Sequence, residues 1–198
     1  MKQITAKEFL AMIENNPSVF ENWNTPLEIA EYVSCKESYI THLSPHLNFT
    51  GKNQADTTAI FSNFENLKIA TGNFQSSVAF INSGIEIIED LNILDNNIEF
   101  WSASFSSCSN LKVATGTYPG FVSFHKTGIE KIKNLHVKKP NPKGFYADFT
   151  ECSLLKTLKG WNLSKKIFIE PEKLSNEKER QALLKFHKKA RPKPLPFL

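Results

Sequence analysis

A β-rich solenoid is the fold class this sequence predicts, with one parallel strand in each 20–24-residue unit, about seven units, and a capping helix at either end. Three observations predict it: a block that recurs at a shift of 44 residues, an apolar LxL spacing that splits the block in two, and helix-start signals confined to the ends. The 198 residues, 40% hydrophobic and 22% charged, hold enough apolar material for one core and exclude a wholly disordered chain.

The elements follow in order. Over residues 1–19, Thr5-Ala6-Lys7-Glu8 reads as a capping box, and Ile4 and Phe9 are placed as a hydrophobic staple. A helix is expected from residue 6 to Asn15, stopped by Pro17, with Phe9, Leu10, Met12 and Ile13 covering the first coil. Residues 20–170 form the repeat array. Asn66-Leu67-Lys68-Ile69-Ala70-Thr71-Gly72 returns as Asn110-Leu111-Lys112-Val113-Ala114-Thr115-Gly116, and Gly84-Ile85-Glu86 returns as Gly128-Ile129-Glu130. Within the block, Phe64-x-x-Leu67-x-Ile69 and Ile88-x-x-Leu91-x-Ile93 share one pattern, repeated from Cys108, Ile132 and Cys152. Alternate residues of a strand point to one side, so these spacings predict strands centred near residues 67, 91, 111, 135 and 155, stacked at ~4.8 Å. Ala59/Phe61, Val78/Phe80, Ala103/Phe105, Val122/Phe124 and Ala147/Phe149 would fill the other side of the same core from extended or 3₁₀ segments. Residues 171–191 carry a second helix, capped through Asn176-x-x-Glu179. Residues 192–198 form a Pro-rich basic tail expected to be extended or polyproline-like.

Ile88-x-x-Leu91-x-Ile93-x-x-Asn96-x-Ile98 fits LxxLxLxxNxL at every defined position. At these residues the chain resembles a leucine-rich-repeat protein, and Phe105-x-x-Cys108-x-x-Leu111-x-Val113 is similar to the short bacterial repeats of the BspA-like type. The resemblance covers about residues 20–165. It implies a leucine-rich-repeat-like solenoid in which a repeated asparagine bonds its neighbours; here only Asn96 keeps that residue.

Chemistry is sparse. Three cysteines without CxxC argue against a disulfide framework or a zinc ribbon, and Cys108 and Cys152 fall among apolar positions as structural thiols. There is no HExxH, GxSxG, GxGxxG or Walker loop, and no metal or other cofactor is expected. A parallel β-helix enzyme would need several strands per coil and a carboxylate or arginine cluster, and the sequence displays neither. No apolar run is long enough to span a membrane, and no Sec-type signal opens the chain, so a cytoplasmic location or export as an effector without a Sec signal is expected.

The expected function is a non-catalytic protein–protein interaction scaffold, monomeric, binding another protein through a concave parallel-sheet face. Its protein-binding residues would be the outward neighbours of the ladder leucines: Asn66, Lys68, Asp90, Asn92, Asn110, Lys112, Asn134, His136, Lys138 and Lys156. The alternative is a phosphate or nucleic-acid binder using the concave lysines and the basic tail. Of the net charge of +4, residues 171–198 carry +5 and the body −1, and no aromatic platform accompanies the lysines, which disfavours nucleic acid.

Overall fold

The computed structural model describes residues 1–36, 39–98, 100–162, 165–170 and 174–189. The expected Pro-rich tail, 192–198, lies outside the described residues, as do 171–173 and 190–191 of the expected second helical segment. Within the described residues the chain is a mostly parallel-sheet protein of fourteen strands and two helices. In order these are β1 (Lys2–Ile4), α1 (Ala6–Asn15), β2 (Leu27–Ile29), β3 (Val33–Lys36), β4 (Leu47–Phe49), β5 (Thr57–Ser62), β6 (Ile69–Phe74), β7 (Ser77–Ile81), β8 (Ile87–Ile93), β9 (Ala103–Ser104), β10 (Val113–Tyr118), β11 (Val122–Ser123), β12 (Lys131–Val137), β13 (Ala147–Asp148), β14 (Ile167–Phe168) and α2 (Glu177–Lys189).

From β2 to β13 the strands alternate between two sides. The even strands β2, β4, β6 and β8 join β1 in one sheet, and the odd strands β3 to β13 join β14 in a seven-stranded sheet. The pair β10–β12 lies beside β8 without joining its ladder. The expectation of one strand per unit is thereby corrected. Successive rungs on the even side run Asn48 to Asn73 to Asn92, steps of 25 and 19 residues that together make the 44-residue repeat.

The strands expected near residues 67, 111 and 155 are also corrected, and for a physical reason. Phe64-x-x-Leu67, Cys108-x-x-Leu111 and Cys152-x-x-Leu155 are tight corner turns in which the leucine N–H donates to the carbonyl three residues back, at 3.1, 3.2 and 3.2 Å. Ile88-x-x-Leu91 and Ile132-x-x-Leu135 are instead bulged strands. Ala70 and Gly72 pair with Ile88 and Leu91, so Glu89 and Asp90 together oppose Thr71. Asp90 sits at φ 46° and Asn134, in the matching bulge of β12, at φ 50°. Both conformations turn the residues at i and i+3 toward the core, Leu91 only partly buried, which is why one spacing stands for two structures. Leu91 therefore stacks on Gly72, not on Leu67.

The core lies where the inner faces of the two sides meet, as in the edge contacts of Phe49 with Phe61 at 5.8 Å and Phe74 with Phe80 at 6.2 Å between ring centroids. On the odd side one inward column reads Val33, Ala59, Val78, Ala103, Val122, Ala147, Ile167, large and small in alternation and all buried. Beside it Phe61, Phe80, Phe105, Phe124 and Phe149 stack face to face at 5.2, 5.8, 5.4 and 5.3 Å. That spacing follows the strand separation of about 4.8 Å, so the ladder itself delivers the rings into stacking range.

Helix α1 begins where the capping box predicts. The Glu8 N–H donates to Thr5 Oγ1 (3.1 Å) and the Thr5 N–H to Glu8 Oε2 (2.7 Å), and the latter bond holds the Glu8 carboxyl below its ordinary pKa. Phe9 from α1 packs on Phe20 and Phe49 at 5.3 and 5.4 Å. Helix α2 starts from Asn176, whose Oδ1 accepts from the Lys178 and Glu179 N–H groups. Glu179 then accepts from Thr157 Oγ1 (3.0 Å) and the Leu158 N–H (2.7 Å), tying the helix to the segment between β13 and β14.

Candidate binding groove

All ten residues expected to bind a partner are exposed, but the structure does not gather them on one sheet face. The outward column of the even side is Gln3, Glu28, Asn48, Asn73 and Asn92, with Thr117 and His136 paired further along in β10–β12. Of the predicted set only Asn92 and His136 belong to it. Asp90 and Asn134 occupy the bulges, and Asn66, Lys68, Asn110 and Lys112 lie in the corner segments before β6 and β10. Lys138 follows β12, and Lys156 lies beyond β13.

The lysines are engaged locally. Lys68 Nζ meets Glu86 at 3.1 Å and Lys112 Nζ meets Glu130 at 4.0 Å. Lys138 Nζ donates to Asn96 Oδ1 at 3.2 Å and Lys156 Nζ to the Ser153 carbonyl at 2.8 Å. Asn96 thus serves an exposed turn. The asparagine ladder lies elsewhere: Asn73 Nδ2 donates to Asn48 Oδ1 (3.1 Å) and Asn92 Nδ2 to Asn73 Oδ1 (2.9 Å). Much of the amide capacity of this face is spent within the ladder.

The thiols are packing groups. Cys108 Sγ donates to the Phe80 carbonyl and Cys152 Sγ to the Phe124 carbonyl, and burial pushes the Cys108 pKa up to about 11 and raises that of Cys152. Cys35, half-buried on the edge strand β3, has its pKa raised chiefly by burial as well. In the native protein at pH 8, Ellman's reagent should titrate Cys35 alone, slowly, and all three thiols should react in guanidinium. Fast native reaction of Cys108 or Cys152 would contradict this packing.

The concavity that sequence reasoning missed lies on the outer face of the odd side. Its floor is the outward column Ile60, Ala79, Ser104 and Ser123, and the groove encloses about 700 Å³. Phe100 and Trp101 form one wall; Phe121, Phe168 and the Asn141–Lys143 turn form the other. Phe100 is 63% exposed and Ile81 38%, a high apolar exposure for two residues lining one groove. Phe168 is braced by Phe145, stacked at 3.6 Å, and by the edge of Phe121 at 6.5 Å.

The walls arise from turn length. Connections from the even to the odd side are alternately long and short: 50–56, 94–102 and 138–146 against 75–76 and 119–121. A long turn thus recurs at every second even-to-odd connection. Asn141 Oδ1 accepts from the Lys143 and Phe145 N–H groups, both at 3.0 Å, and Asn53 closes the turn at 50–56 in the same way. Ser77 Oγ donates to the Trp101 carbonyl, fixing the other wall to β7. A second notch of about 380 Å³, lined by Ala55, Asp56, Ser77, Ile98, Phe100 and Trp101, repeats the arrangement one long turn earlier. The available signal was Asn53, Asn97 and Asn141 at the 44-residue interval, with aromatic residues following the second and third.

Comparison with protein-family models, with curated proteins and with solved structures finds no match to this chain. Among the described residues no helix is long and apolar enough to cross a membrane, and no three His, Cys, Asp or Glu side chains come together as a metal site.

Proposed function

We propose that this chain is a non-catalytic binding module, a wound repeat in the sense the leucine-rich-repeat resemblance implies, which takes an extended, proline-bearing segment of another protein into the groove on its odd side. In this reading α1 and α2 close the two ends of the winding.

The observation that carries it is the spacing of the walls. Long turns recur every second coil, or about 9.6 Å at strand separation. A polyproline II helix repeats every three residues, about 9.3 Å. A ligand running along the stacking axis would therefore present the same face to successive notches. The aromatic walls and small floor residues suit proline and leucine rings and methyls.

Fluorescence anisotropy with a labelled nine-residue Pro-Pro-Leu repeat checks it. Ser104→Trp, which fills the floor from outside the core, should weaken binding at least ~10-fold, as expected for a blocked central pocket. Asn92→Ala, on the opposite sheet, should leave it unchanged. The reverse pattern would move recognition to the asparagine ladder.

A further inference from the structure

We propose that the outer face of the even side, from β8 to β12, docks a second copy of this chain as a two-fold dimer, in place of the monomer expected from sequence. The observation behind it is the 44-residue recurrence, which preserves the core of this face and inverts its charge. Ile88 and Leu91 return as Ile132 and Leu135, whereas Glu89 returns as Lys133 and Asp95 as Lys139. The exposed Ile87 and Leu94 return as Lys131 and Lys138. Strand β8 and the turn after it thus bear an acidic strip, and β12 and its turn a basic one. Between them β10 presents Val113 and Thr117, paired with Lys131 and His136, and no charge.

Much of the neighbouring charge is matched within the chain. Lys68 holds Glu86, Lys112 holds Glu130, Lys52 approaches Asp95, and Lys138 and Lys139 both bond Asn96. Glu89, Asp90, Lys131 and Lys133 are exposed, and no ion pair or side-chain hydrogen bond among the described residues engages their charges. The two strips lie two strands apart, about 10 Å. Symmetry then fixes the pairing. A two-fold axis along β10 lays β8 of one copy over β12 of the other and keeps their strands parallel. Equivalent positions meet at one height, so Glu89 opposes Lys133 of the second copy, and the pair occurs twice. An axis across the strands would set β8 on β8, like charge on like. A patch three strands wide and seven residues long covers on the order of 350 Å², which places the dimer in the small, transient class of interface. The groove lies on the opposite side, so this inference does not rest on the peptide reading and leaves both grooves open.

Sedimentation velocity on the full chain, from ~5 to ~500 μM protein at ~50 mM salt, reads the dimer, and ~500 mM salt should dissolve it. Glu89→Lys and Lys133→Glu, each alone, set like charge on like at both pairs and should weaken dimerisation at least ~10-fold. A one-to-one mixture of the two variants should restore it, because both mixed contacts are again of one sign facing the other. The double variant, carrying both changes in one chain, should also dimerise within about threefold of the wild type. That rescue separates lost docking from lost folding. A wild type that stays monomeric throughout would overturn the inference. So would single variants that associate as the wild type does, which would place the contact elsewhere, or a mixture and double variant no better than the singles.

Discussion

Phe105→Ala should lower the melting temperature by about 6–20 °C, the largest loss expected from any single truncation in this molecule. Phe105 is the middle ring of the five-membered stack, face to face with Phe80 at 5.8 Å and Phe124 at 5.4 Å, and it meets the edge of Tyr118 at 6.3 Å. It is fully buried. Removing such a ring costs about 3–5 kcal/mol, transfer and cavity together, and in a chain of this length each kcal/mol moves the midpoint by about 2–4 °C. The cavity cannot collapse easily, because the strand spacing fixes the rings on both sides. Phe100→Ala, removing an exposed ring of the same size, should change the midpoint by less than ~2 °C. Thermal melts followed by circular dichroism decide the matter; equal losses in the two variants would mean that the stack contributes nothing special.

Gly128→Ala should destabilise the protein by at least about 3 kcal/mol, although exchanging glycine for alanine at a permissive site ordinarily stabilises by about 0.4–1 kcal/mol. The cause is steric. A Cβ on Gly128 would stand 2.0 Å from the Ser109 carbonyl oxygen, and at the equivalent Gly84 it would stand 1.9 Å from that of Glu65. The neighbouring backbone leaves no room there for a side chain, and backbone cannot rotate aside. Gly144→Ala supplies the contrast. Nothing lies within 4 Å of its Cβ position, but its φ of +83° costs a side chain about 1–2 kcal/mol. Urea midpoints that rank Gly144→Ala as the more damaging change would show that the backbone around Gly128 is not closely packed.

These two sites also mark how far the sequence could be read. The 44-residue recurrence was legible because core positions and close-approach glycines are under the same steric constraint in each 44-residue block; Gly84-Ile85-Glu86 and Gly128-Ile129-Glu130 record it directly. The inward pairs from Ala59/Phe61 to Ala147/Phe149 were legible for the same reason. The strand assignments at 67, 111 and 155 were not. An i, i+3 apolar spacing is produced both by a tight corner turn, as at Phe64–Leu67, and by a strand with one extra residue, as at Ile88–Leu91. Nothing in hydrophobicity separates them. The glycine paired with the residue after each bulge, Gly72 or Gly116, and the left-handed Asp90 and Asn134 do, but only once the pairing is known. The groove was invisible for a different reason: apart from Ile60 its floor is Ala79, Ser104 and Ser123, small residues whose meaning depends on the height of the turns beside them.

The missing ladder between β8 and β10 has a mechanical consequence. On the odd side hydrogen-bonded strands run without interruption from β3 to β14, whereas on the even side the lacing stops at β8 and resumes at β10. Flexure that parts these two strands breaks no ladder bonds, while stretching the odd side would break several. Among the described residues the two sides therefore resist bending unequally, and the even side is least laced between β8 and β10. The turns after β8 and after β12 carry the groove walls and flank that seam, so opening the even side there would narrow the groove.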